Sequence, residues 1–389
     1  MNSSTPAIVV VAFNRPRSLD RLLKSLGSAH YPETSIPLII SIDKAENNGD
    51  VLLMAESFDW PFGDKKVNYQ EENLGLRKHI LQCMGYAAEY GSMILLEDDL
   101  FVAPGFYKYT VQALDFVGND PKIAGISLYN HQFNVHVGQN FSPLEDGFDN
   151  WYFQFASSWG QAWTKTQTEQ FLEWYHTSPK INERQHIPQN VRQWSDKSWL
   201  KFHIAYLVEK DLFFLYPKIS LSTNFSDAGT HIGNDTTTYQ VPLMYDAEKK
   251  YHFSKVSRSL SVYDAFFENT NLGPLLDLIG DESTIDLYGY QKPNKRFFLS
   301  SAILDFKVVR SFGKSLRPLD ANIMFGIEGE DFFLYDTSVI VQNNKTKNQT
   351  REIIYQIKHL SHKKAGYLYW HLTTTRLKGL LVKLRILRK

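Results

Sequence analysis

The sequence predicts an α/β fold, a doubly wound and mostly parallel sheet with helices on both faces, followed by a smaller C-terminal domain. Apolar, β-branched runs alternate with segments of helical periodicity in roughly the first 120 residues, an order that is typical of βαβ units. Polar or acidic side chains directly follow several of these runs. The pattern changes after residue 255. We therefore expect one domain at residues 1–255 and an accessory domain at residues 256–389.

Hydrophobic periodicity places the elements in chain order. Residues 7–13 (AIVVVAF) form a β-branched run that predicts a buried parallel strand. Leu19, Leu22, Leu23 and Leu26 then share one helical face, because they are spaced by three and four positions. The same patterns predict alternating elements along the chain: a strand at 37–42, a helix at 51–57, a strand at 66–69, a helix at 76–89, a strand at 93–96 and a helix at 104–117.

The segment from residue 122 to 255 is less regular and rich in aromatic residues. Aromatic rings often line clefts that hold sugars, although they are more often part of a core. Its patterns predict strands at 152–158 (YFQFASS) and 212–217 (LFFLYP) and a helix at 194–210. They predict loops at 159–163 (WGQAW) and, with polar composition, at 224–239.

Composition excludes several classes of protein. The 42 basic and 42 acidic residues cancel, so the net charge gives no reason to expect a nucleic-acid partner. A single cysteine, Cys83, excludes an internal disulfide and favours a reducing, cytoplasmic location. The N-terminal apolar run is too short for a signal peptide and lacks a basic region before it. No apolar stretch is long enough to predict a membrane span.

Three consecutive acidic residues, Glu97, Asp98 and Asp99, follow the predicted strand at 93–96. Crowded carboxylates raise one another's pKa and are costly to remove from water. A divalent cation that bridges a nucleotide diphosphate would relieve this crowding, since Mg²⁺ and Mn²⁺ take carboxylate and phosphate oxygens as ligands. A solvated corner between strand and loop is the alternative. Both interpretations stay open from the triplet alone.

Other polar residues follow the neighbouring predicted strands. Arg15 comes after the first strand, Asp43 after the second, and Asn73 lies in the loop ENLG after the third. Ligands of doubly wound sheets bind beyond the carboxyl ends of the strands. We therefore expect these residues to lie at one edge of the sheet with the acidic triplet.

Several segments together resemble the nucleotide-sugar half of GT-A glycosyltransferases. They are AIVVVAFNRPRSLDRLLKSL, IISIDKAEN, ENLG and ILLEDDLFVAPGFYKY. They are similar to bacterial family 2 enzymes and, more closely, to the inverting N-acetylglucosaminyltransferases of Golgi N-glycan branching. The resemblance continues through WGQAW, WSD and YPKISLSTNFSDAGTHIG, over about the first 235 residues. It implies the GT-A fold and transfer of a sugar from a nucleotide sugar.

The resemblance also implies roles for the residues that match the motifs. Asp99 would bind the metal ion, Mn²⁺ or Mg²⁺, and Glu97 and Asp98 would contact the ribose or the donor sugar. Asp43 would accept a hydrogen bond from the base, most naturally uracil N3–H. Arg15 would lie against the base or the diphosphate. The alternatives are a cap or turn role for Asp43 and a surface salt bridge for Arg15.

Further donor-site residues follow from the same resemblance. Arg77 and His79, on the helix after ENLG, could reach the diphosphate or face solvent. Three residues of WGQAW would form a wall against donor sugar or acceptor, or simply belong to the core: Trp159, Gly160 and Trp163. Thr230 and His231 match a pair that approaches the diphosphate from a closing loop, and an ordinary surface loop is the alternative.

An inverting glycosyltransferase also needs a general base for the acceptor hydroxyl. Asp196, in Trp194-Ser195-Asp196, matches the position of the base in the family that the sequence resembles. Ser195 replaces the first acid of the family's pattern, which loosens that match. Capping of the following helix is the alternative role of Asp196.

The C-terminal segment 376–389 combines leucines with basic residues. Leu377, Leu380, Leu381, Leu384 and Leu387 share one helical face, and the flanking residues are Arg376, Lys378, Lys383, Arg385, Arg388 and Lys389. Such a helix binds anionic membrane surfaces, although the leucines could instead dock on their own domain. Membrane contact would suit a lipid-linked acceptor at the inner face of a bacterial membrane.

The sequence as a whole therefore predicts a metal-dependent, inverting glycosyltransferase. Its donor would be a nucleoside-diphosphate sugar, with a UDP-sugar favoured. Its acceptor would be a hydroxyl of a cell-surface glycan, a lipid-linked oligosaccharide or a glycoprotein. Two alternatives stay open: a non-catalytic glycan-binding or scaffold protein, and a sugar-nucleotide pyrophosphorylase. The latter would need a glycine-rich phosphate loop after the first strand, and VAFNRPRSL contains no glycine.

Overall fold

A computed structural model describes most of the chain. The described residues are 5–32, 35–177, 180–181, 183–184, 186–225, 227, 237–276, 282–347, 349–357 and 360–383. The chain divides into two compact units, Met1–Gln342 and Asn343–Lys389. The sequence-predicted boundary after residue 255 falls inside the first unit, and the division of roles on either side of it stays a prediction.

All strands of the described residues belong to the first unit. They are β1 (Ala7–Ala12), β2 (Leu38–Ile42), β3 (Lys65–Tyr69), β4 (Ser92–Glu97), β5 (Leu100–Val102), β6 (Ile123–Ser127), β7 (Phe133–Asn134), β8 (Gln139–Asn140), β9 (Asn150–Phe153), β10 (Gln161–Thr164), β11 (Phe213–Pro217), β12 (Ser222–Asn224), β13 (Val262–Tyr263), β14 (Ser283–Asp286), β15 (Phe297–Ser300), β16 (Phe306–Phe312) and β17 (Phe332–Ile340).

The helices of the described residues alternate with the strands in the N-terminal part. They are α1 (Pro16–Gly27), α2 (Gly49–Ser57), α3 (Gly75–Met84), α4 (Tyr86–Tyr90), α5 (Phe106–Val117), α6 (Lys165–Thr177), α7 (Gln189–Gln193), α8 (Trp199–Lys210), α9 (Leu272–Leu275), α10 (Leu319–Met324), α11 (Gln349–Gln356) and α12 (His362–Lys383).

The central sheet of the first unit contains nine strands of the described chain, in the order β13–β9–β11–β6–β10–β4–β1–β2–β3. Pairing is parallel along β4, β1, β2 and β3, between β11 and β6, and between β13 and β9. The other pairs are antiparallel. The predicted α/β fold with a large and mostly parallel sheet is therefore confirmed.

The core explains why the N-terminal elements were readable from sequence. β1 is buried along its whole length, and α1 buries Leu19, Leu22, Leu23 and Leu26 against the sheet. This face is the one that the spacing of the leucines predicts. The predicted helix at 76–89 is instead two helices, because the chain turns at Gly85 between α3 and α4.

The prediction of a loop at WGQAW is wrong for its second half. Residues Gln161–Thr164 form β10, which lies between β4 and β6 and pairs antiparallel with both. Gln161 is completely buried, so a polar residue stands where a buried strand would show an apolar one. This segment is a strand because it pairs with β4 and β6. Its sequence has no hydrophobic periodicity that would predict a strand.

A second sheet lies after residue 282. Its strand order is β14–β15–β17–β16, and Phe298, Phe333 and Tyr335 form its core. Before it, β13 pairs with β9 and so belongs to the central sheet. Residues after 255 therefore contribute to both sheets of the first unit.

The second unit contains α11 and α12. Tyr367, Tyr369, Trp370 and Leu372 of α12 are exposed. The predicted leucine face at 376–389 extends beyond α12, and residues 384–389 lie outside the described residues. No helix within the described ranges is both long enough and apolar enough to cross a lipid bilayer.

Candidate active site

The acidic triplet lies at the carboxyl edge of the parallel strands. Glu97 is the last residue of β4 and pairs with Val11 of β1, and Asp98 and Asp99 form the turn into β5. Asp43 directly follows β2, and its backbone N–H donates to the carbonyl of Ala12. The structure therefore brings the residues after three neighbouring strands to one edge, as the parallel topology requires.

Arg15 supplies positive charge at this corner. Its Nη1 donates to Oδ2 of Asp99 over 3.1 Å, and its Nη2 donates to Oδ1 of Asp98. Burial alone lowers the pKa of Arg15, but the charges of Asp98 and Asp99 outweigh it and raise that pKa above its ordinary value. The salt bridge that the sequence left as an alternative for Arg15 is thus formed with the triplet itself.

One arginine does not compensate three adjacent acids, of which Asp98 is buried and Glu97 and Asp99 are half-buried. Burial, followed by the charges of Asp99 and Asp98, raises the pKa of Glu97 to about 8, while Arg15 and a hydrogen bond with the Trp199 side chain oppose the rise. Burial also raises the pKa of Asp98 to about 6, although Arg15 lowers it. The surroundings of Glu97 and Asp98 therefore disfavour the ionised forms of these two carboxyls.

Each acid of the triplet also has a buried oxygen without a hydrogen-bond partner. These atoms are Glu97 Oε1, Asp98 Oδ2 and Asp99 Oδ1. Buried acceptors without donors are costly, and oxygen donors of this kind are what Mg²⁺ and Mn²⁺ take as ligands. Within the described residues, no three His, Cys, Asp or Glu side chains form a complete metal cage. The donor set thus fits a cation that takes its remaining ligands from a phosphate and water.

Asp43 holds the loop before α3. Its Oδ1 accepts from the backbone N–H of Lys44 (3.0 Å) and Leu74 (2.8 Å), and its Oδ2 accepts from that of Gly75 (2.9 Å). Its carboxylate thus fixes the start of α3, which is the cap role that the sequence left as an alternative. Contact with a nucleotide base stays a prediction.

Arg77 and His79 lie on α3 in different surroundings. The Arg77 guanidinium lies 5.1 Å from the centre of the Phe202 ring of α8, and Arg77 also adds positive charge near Asp196. His79 is buried, 2.7 Å from the Ser41 hydroxyl on β2, and burial lowers its pKa. The structure therefore corrects the expectation for His79, since its ring is enclosed in the layer between helix and sheet.

Residues of WGQAW take different places. Trp163 is buried against Trp199 and His203, so it belongs to the core and not to a cleft wall. Gly160 has φ of +92°, and a Cβ there would lie 3.0 Å from the Ser222 hydroxyl, so only glycine fits easily. Trp159 is half-buried and lines a cavity of about 210 Å³.

Asp196 faces a second cavity, of about 430 Å³, at the loop between α7 and α8. Its side chain is 74% exposed and bonds over 2.9 Å to the ammonium of Lys201, which is itself buried. That hydrogen bond and charge lower the pKa of Asp196. Ser198, and not Asp196, caps α8, so the capping alternative for Asp196 is not what the structure shows.

Two predicted residues cannot be placed, because Thr230 and His231 lie outside the described residues. Sequence reasoning missed other residues near the site. His131, Asn190 and Tyr239 line the same cavity as Trp159. They come from three distant segments, and the high aromatic content was the only signal that pointed to such a cavity.

Comparison with known proteins gives one curated relative. No protein-family profile matches the chain. The chain is 24% identical over 249 residues to an alpha-1,3-mannosyl-glycoprotein 2-beta-N-acetylglucosaminyltransferase of Arabidopsis thaliana. The match covers 61% of this chain and 50% of the relative, so this chain spans about half the length of that protein. The resemblance to glycosyltransferases that the motifs indicate is confirmed by this similarity.

Solved structures with partial likeness include a mannosyltransferase, S. aureus TarS and a cytidylyltransferase from Leptospira borgpetersenii. One is the mannosyltransferase PcManGT from Pyrobaculum calidifontis in complex with GDP-Man and Mn²⁺, at 10% identity and a TM-score of 0.34, covering 62% of this chain and 56% of that one. Another is S. aureus TarS 1-349, at 14% identity and a TM-score of 0.35, covering 56% and 59% respectively. At these scores the likenesses do not bear on substrate or mechanism.

Proposed function

We propose that the protein is a metal-dependent, inverting glycosyltransferase. It would transfer a sugar from a nucleoside-diphosphate sugar, with a UDP-sugar favoured, to a hydroxyl of a glycan acceptor. Support comes from the motifs, from the sequence similarity to an N-acetylglucosaminyltransferase, and above all from the three buried carboxylate oxygens that lack partners at the edge of the sheet. Three such acceptors on consecutive residues are an unusual concentration for a corner that serves structure alone.

Asp99 is the residue that would hold Mn²⁺ or Mg²⁺, through the oxygen that Arg15 leaves unbonded. Such an ion, when bound, neutralises the negative charge that develops on the departing diphosphate. Arg15 would place a second positive charge beside it. Glu97 and Asp98 would orient the ribose or the sugar by accepting hydrogen bonds from hydroxyl groups.

Asp196 is the proposed general base. Its carboxylate would take the proton of the acceptor hydroxyl while the oxygen of that hydroxyl bonds to the anomeric carbon from the face opposite the diphosphate. The bond between the anomeric carbon and the phosphate oxygen would break at the same time, and its electron pair would leave with the diphosphate. Lys201 lowers the pKa of Asp196 and so keeps the carboxylate in the ionised form that accepts a proton, while it also makes that carboxylate a weaker base.

The acceptor and the cellular location belong to the same proposal. A cell-surface glycan, a lipid-linked oligosaccharide or a glycoprotein would offer the hydroxyl. The basic residues of α12 and the exposed rings of Tyr367, Tyr369 and Trp370 support contact of this helix with an anionic membrane surface. The buried, unpaired Cys83 is compatible with the cytoplasmic location that we propose.

Screening nucleotide sugars for hydrolysis with Mn²⁺ and with EDTA tests this function. We expect hydrolysis of a UDP-sugar that needs the metal and that Asp99→Asn abolishes while the thermal unfolding transition stays cooperative. Asp20→Asn, which changes an exposed acid of α1, is the matched control and should be fully active. Titration of UDP separates the alternatives, because a scaffold protein would bind no UDP in a metal-dependent way. Release of UTP from a UDP-sugar and pyrophosphate would instead identify a pyrophosphorylase.

A further inference from the structure

Lys201 is a buried lysine beside the proposed general base. Its side chain is 1% exposed, and lysines are almost never fully buried unless their ammonium groups are paired. The ammonium donates to Oδ1 of Asp196 over 2.9 Å and to the backbone carbonyl of Trp194 over 3.0 Å. One cation therefore holds both ends of the segment Trp194–Asp196, which we call the base loop.

The position of Lys201 in α8 is unfavourable for a cation. Ser198 is the N-cap of α8, and its side chain accepts from the backbone N–H of Lys201, three residues later. Glutamate or glutamine is favoured at this third position, because the N-terminus of a helix carries partial positive charge. A buried ammonium there adds a cost of desolvation. The loop that Lys201 holds therefore explains this lysine better than the helix does.

The ion pair between Lys201 and Asp196 contributes little to stability. Asp196 is 74% exposed, and water screens the attraction between an ammonium and a carboxylate that faces solvent. The pair does restrict the carboxylate, since one of its oxygens is held while the side chain stays open to the cavity of about 430 Å³. An oriented and accessible carboxylate is what a general base needs.

The first turn of α8 also contacts the acidic triplet. Trp199, two residues before Lys201, is 1% exposed, and its side chain forms a hydrogen bond with Glu97. The Trp163 ring of β10 lies 6.2 Å from the Trp199 ring, centre to centre. This turn is therefore fixed against the strands that end at the triplet. A side chain on the same turn can hold the base loop at a set distance from the triplet.

Basic side chains of different helices act on Asp196. Lys201 of α8 lowers the pKa of this carboxyl through a hydrogen bond and through its charge, and Arg77 of α3 lowers it further. Arg192 of α7 lines the same cavity. Lys201 contacts the carboxylate directly. Removal of Lys201 should therefore release the base loop and raise the pKa of Asp196 together.

We propose that Lys201 is the positioning residue of the general base, and that its ammonium holds the base loop so that the carboxylate of Asp196 reaches the reacting hydroxyl in one orientation. This inference rests on the proposed function. Lys201 acts through Asp196 and not on the substrate. Its loss should therefore slow the chemical step and leave nucleotide binding intact.

Hydrolysis of a UDP-sugar tests the inference on the full chain, with water in place of the acceptor hydroxyl. UDP-GlcNAc, UDP-glucose and UDP-galactose are supplied at saturating concentration with Mn²⁺, and kcat is measured as a function of pH. Lys201→Met keeps an apolar stem but removes the ammonium, and Lys201→Arg keeps a cation. Lys197→Met removes an exposed cation next to Asp196 and is the matched control.

We expect kcat of Lys201→Met to fall by about 10²-fold, because a misplaced catalytic group loses rate of this order. The acid limb of its pH profile should move to higher pH, since the pKa of Asp196 rises without Lys201. The affinity for UDP, measured by calorimetry, should stay within a factor of about two. Lys201→Arg should recover most of the rate and the acid limb of the wild type, and Lys197→Met should match the wild type.

An unchanged kcat in Lys201→Met would overturn the inference. A lower kcat with the acid limb of the wild type, or an equal effect in Lys197→Met, would overturn it as well. Hydrogen exchange followed by mass spectrometry adds a measurement that needs no activity. The backbone N–H groups of the base loop bond locally, as that of Trp194 does to the carbonyl of Val191. They should exchange about tenfold faster in Lys201→Met.

Hydrogen exchange also separates the inference from the proposed function. If the wild type hydrolyses no UDP-sugar, the proposed function fails. Equal exchange of the base loop in the wild type and in Lys201→Met would then refute the hold of Lys201 on this loop, and faster exchange in the variant would support it. Should Lys201→Met fail to fold, Lys201→Gln, which keeps hydrogen-bond donors without the charge, takes its place in both measurements.

Discussion

Arg15 and Asp99 are 84 positions apart in the chain, and a hydrogen bond of 3.1 Å joins Nη1 of one to Oδ2 of the other. The second oxygen of Asp99 is buried without a partner. Arg15 is thus a cation of the protein itself beside Glu97, Asp98 and Asp99, and it neutralises only part of their negative charge. Arg15 explains how the protein tolerates the consecutive acids, and the oxygens that it leaves unbonded are the ones that we propose for a metal ion.

Replacing Arg15 should weaken the metal-free protein. Arg15→Met leaves Asp98 buried without its ion-pair partner, and we expect the free energy of unfolding to fall by about 2 kcal/mol, since Arg15 is partly exposed. Mn²⁺ should restore part of this loss, because we propose that it binds the same carboxylates. Denaturant unfolding with EDTA and with Mn²⁺ measures both effects. If Mn²⁺ does not reduce this loss of stability, the ion does not bind the carboxylates that Arg15 contacts.

The stability of the metal-free protein should depend on Glu97 between mildly acidic and mildly alkaline pH. Its folded-state pKa is about 8, raised from 4.5 by burial and by the neighbouring acids. A raised carboxyl pKa stabilises the folded state below pH 4.5, and this contribution is lost as the pH rises towards 8. In EDTA, the wild type should therefore lose of the order of 2 kcal/mol more than Glu97→Gln between pH 5 and pH 8. Parallel pH profiles for the two proteins would contradict this prediction.

Changing the proposed base should separate donor binding from transfer. Asp196→Asn keeps the shape of the side chain but cannot accept the proton, so transfer to an acceptor should fall by about 10²–10⁴-fold. The affinity for UDP in Mn²⁺ should stay within a factor of about two. Steady-state rates and calorimetry give the two quantities. Asp211→Asn, which changes an exposed acid after α8, should leave both unchanged, and a loss of UDP affinity in Asp196→Asn would place this residue in the nucleotide pocket.

Membrane contact through α12 should depend on anionic lipid and on salt. Replacing Arg376, Lys378 and Lys383 together by Gln removes three positive charges, each worth about 1 kcal/mol near an anionic surface. Co-sedimentation with vesicles of phosphatidylserine and phosphatidylcholine should show binding of the wild type that the triple variant loses. Vesicles of phosphatidylcholine alone are the control. Equal binding of both proteins would show that these charges do not carry the contact.

Periodicity in the sequence was sufficient to predict the N-terminal half of the sheet. β1 is a continuous apolar run that is buried at every position, and α1 buries one face with a period of 3.6 residues, which is the pattern of a parallel sheet covered by helices. β10 escaped prediction because Gln161 is buried in a central strand. The break at Gly85 was also missed, because a single glycine within a helical pattern does not by itself indicate the end of a helix.

The sequence predicted where the site lies in the fold but not which side chains contact one another there. Strand ends identified the edge where Arg15, Asp43 and the triplet lie. The sequence could not decide between a solvent-facing and a buried side of α3, so the enclosure of His79 by Ser41 was not foreseen. The cavity of His131, Trp159 and Tyr239 depends on long-range packing of three segments, which no local pattern contains.

The claim that a metal ion binds at Asp99 is tested most directly by anomalous scattering. Crystals of the full chain would be soaked with MnCl₂ and UDP, and data collected at the manganese absorption edge. We predict one strong anomalous peak in contact with Asp99 Oδ1 and with oxygens of the UDP diphosphate, and no such peak in Asp99→Asn. A wild-type crystal that holds UDP but shows no manganese at Asp99 would contradict the account.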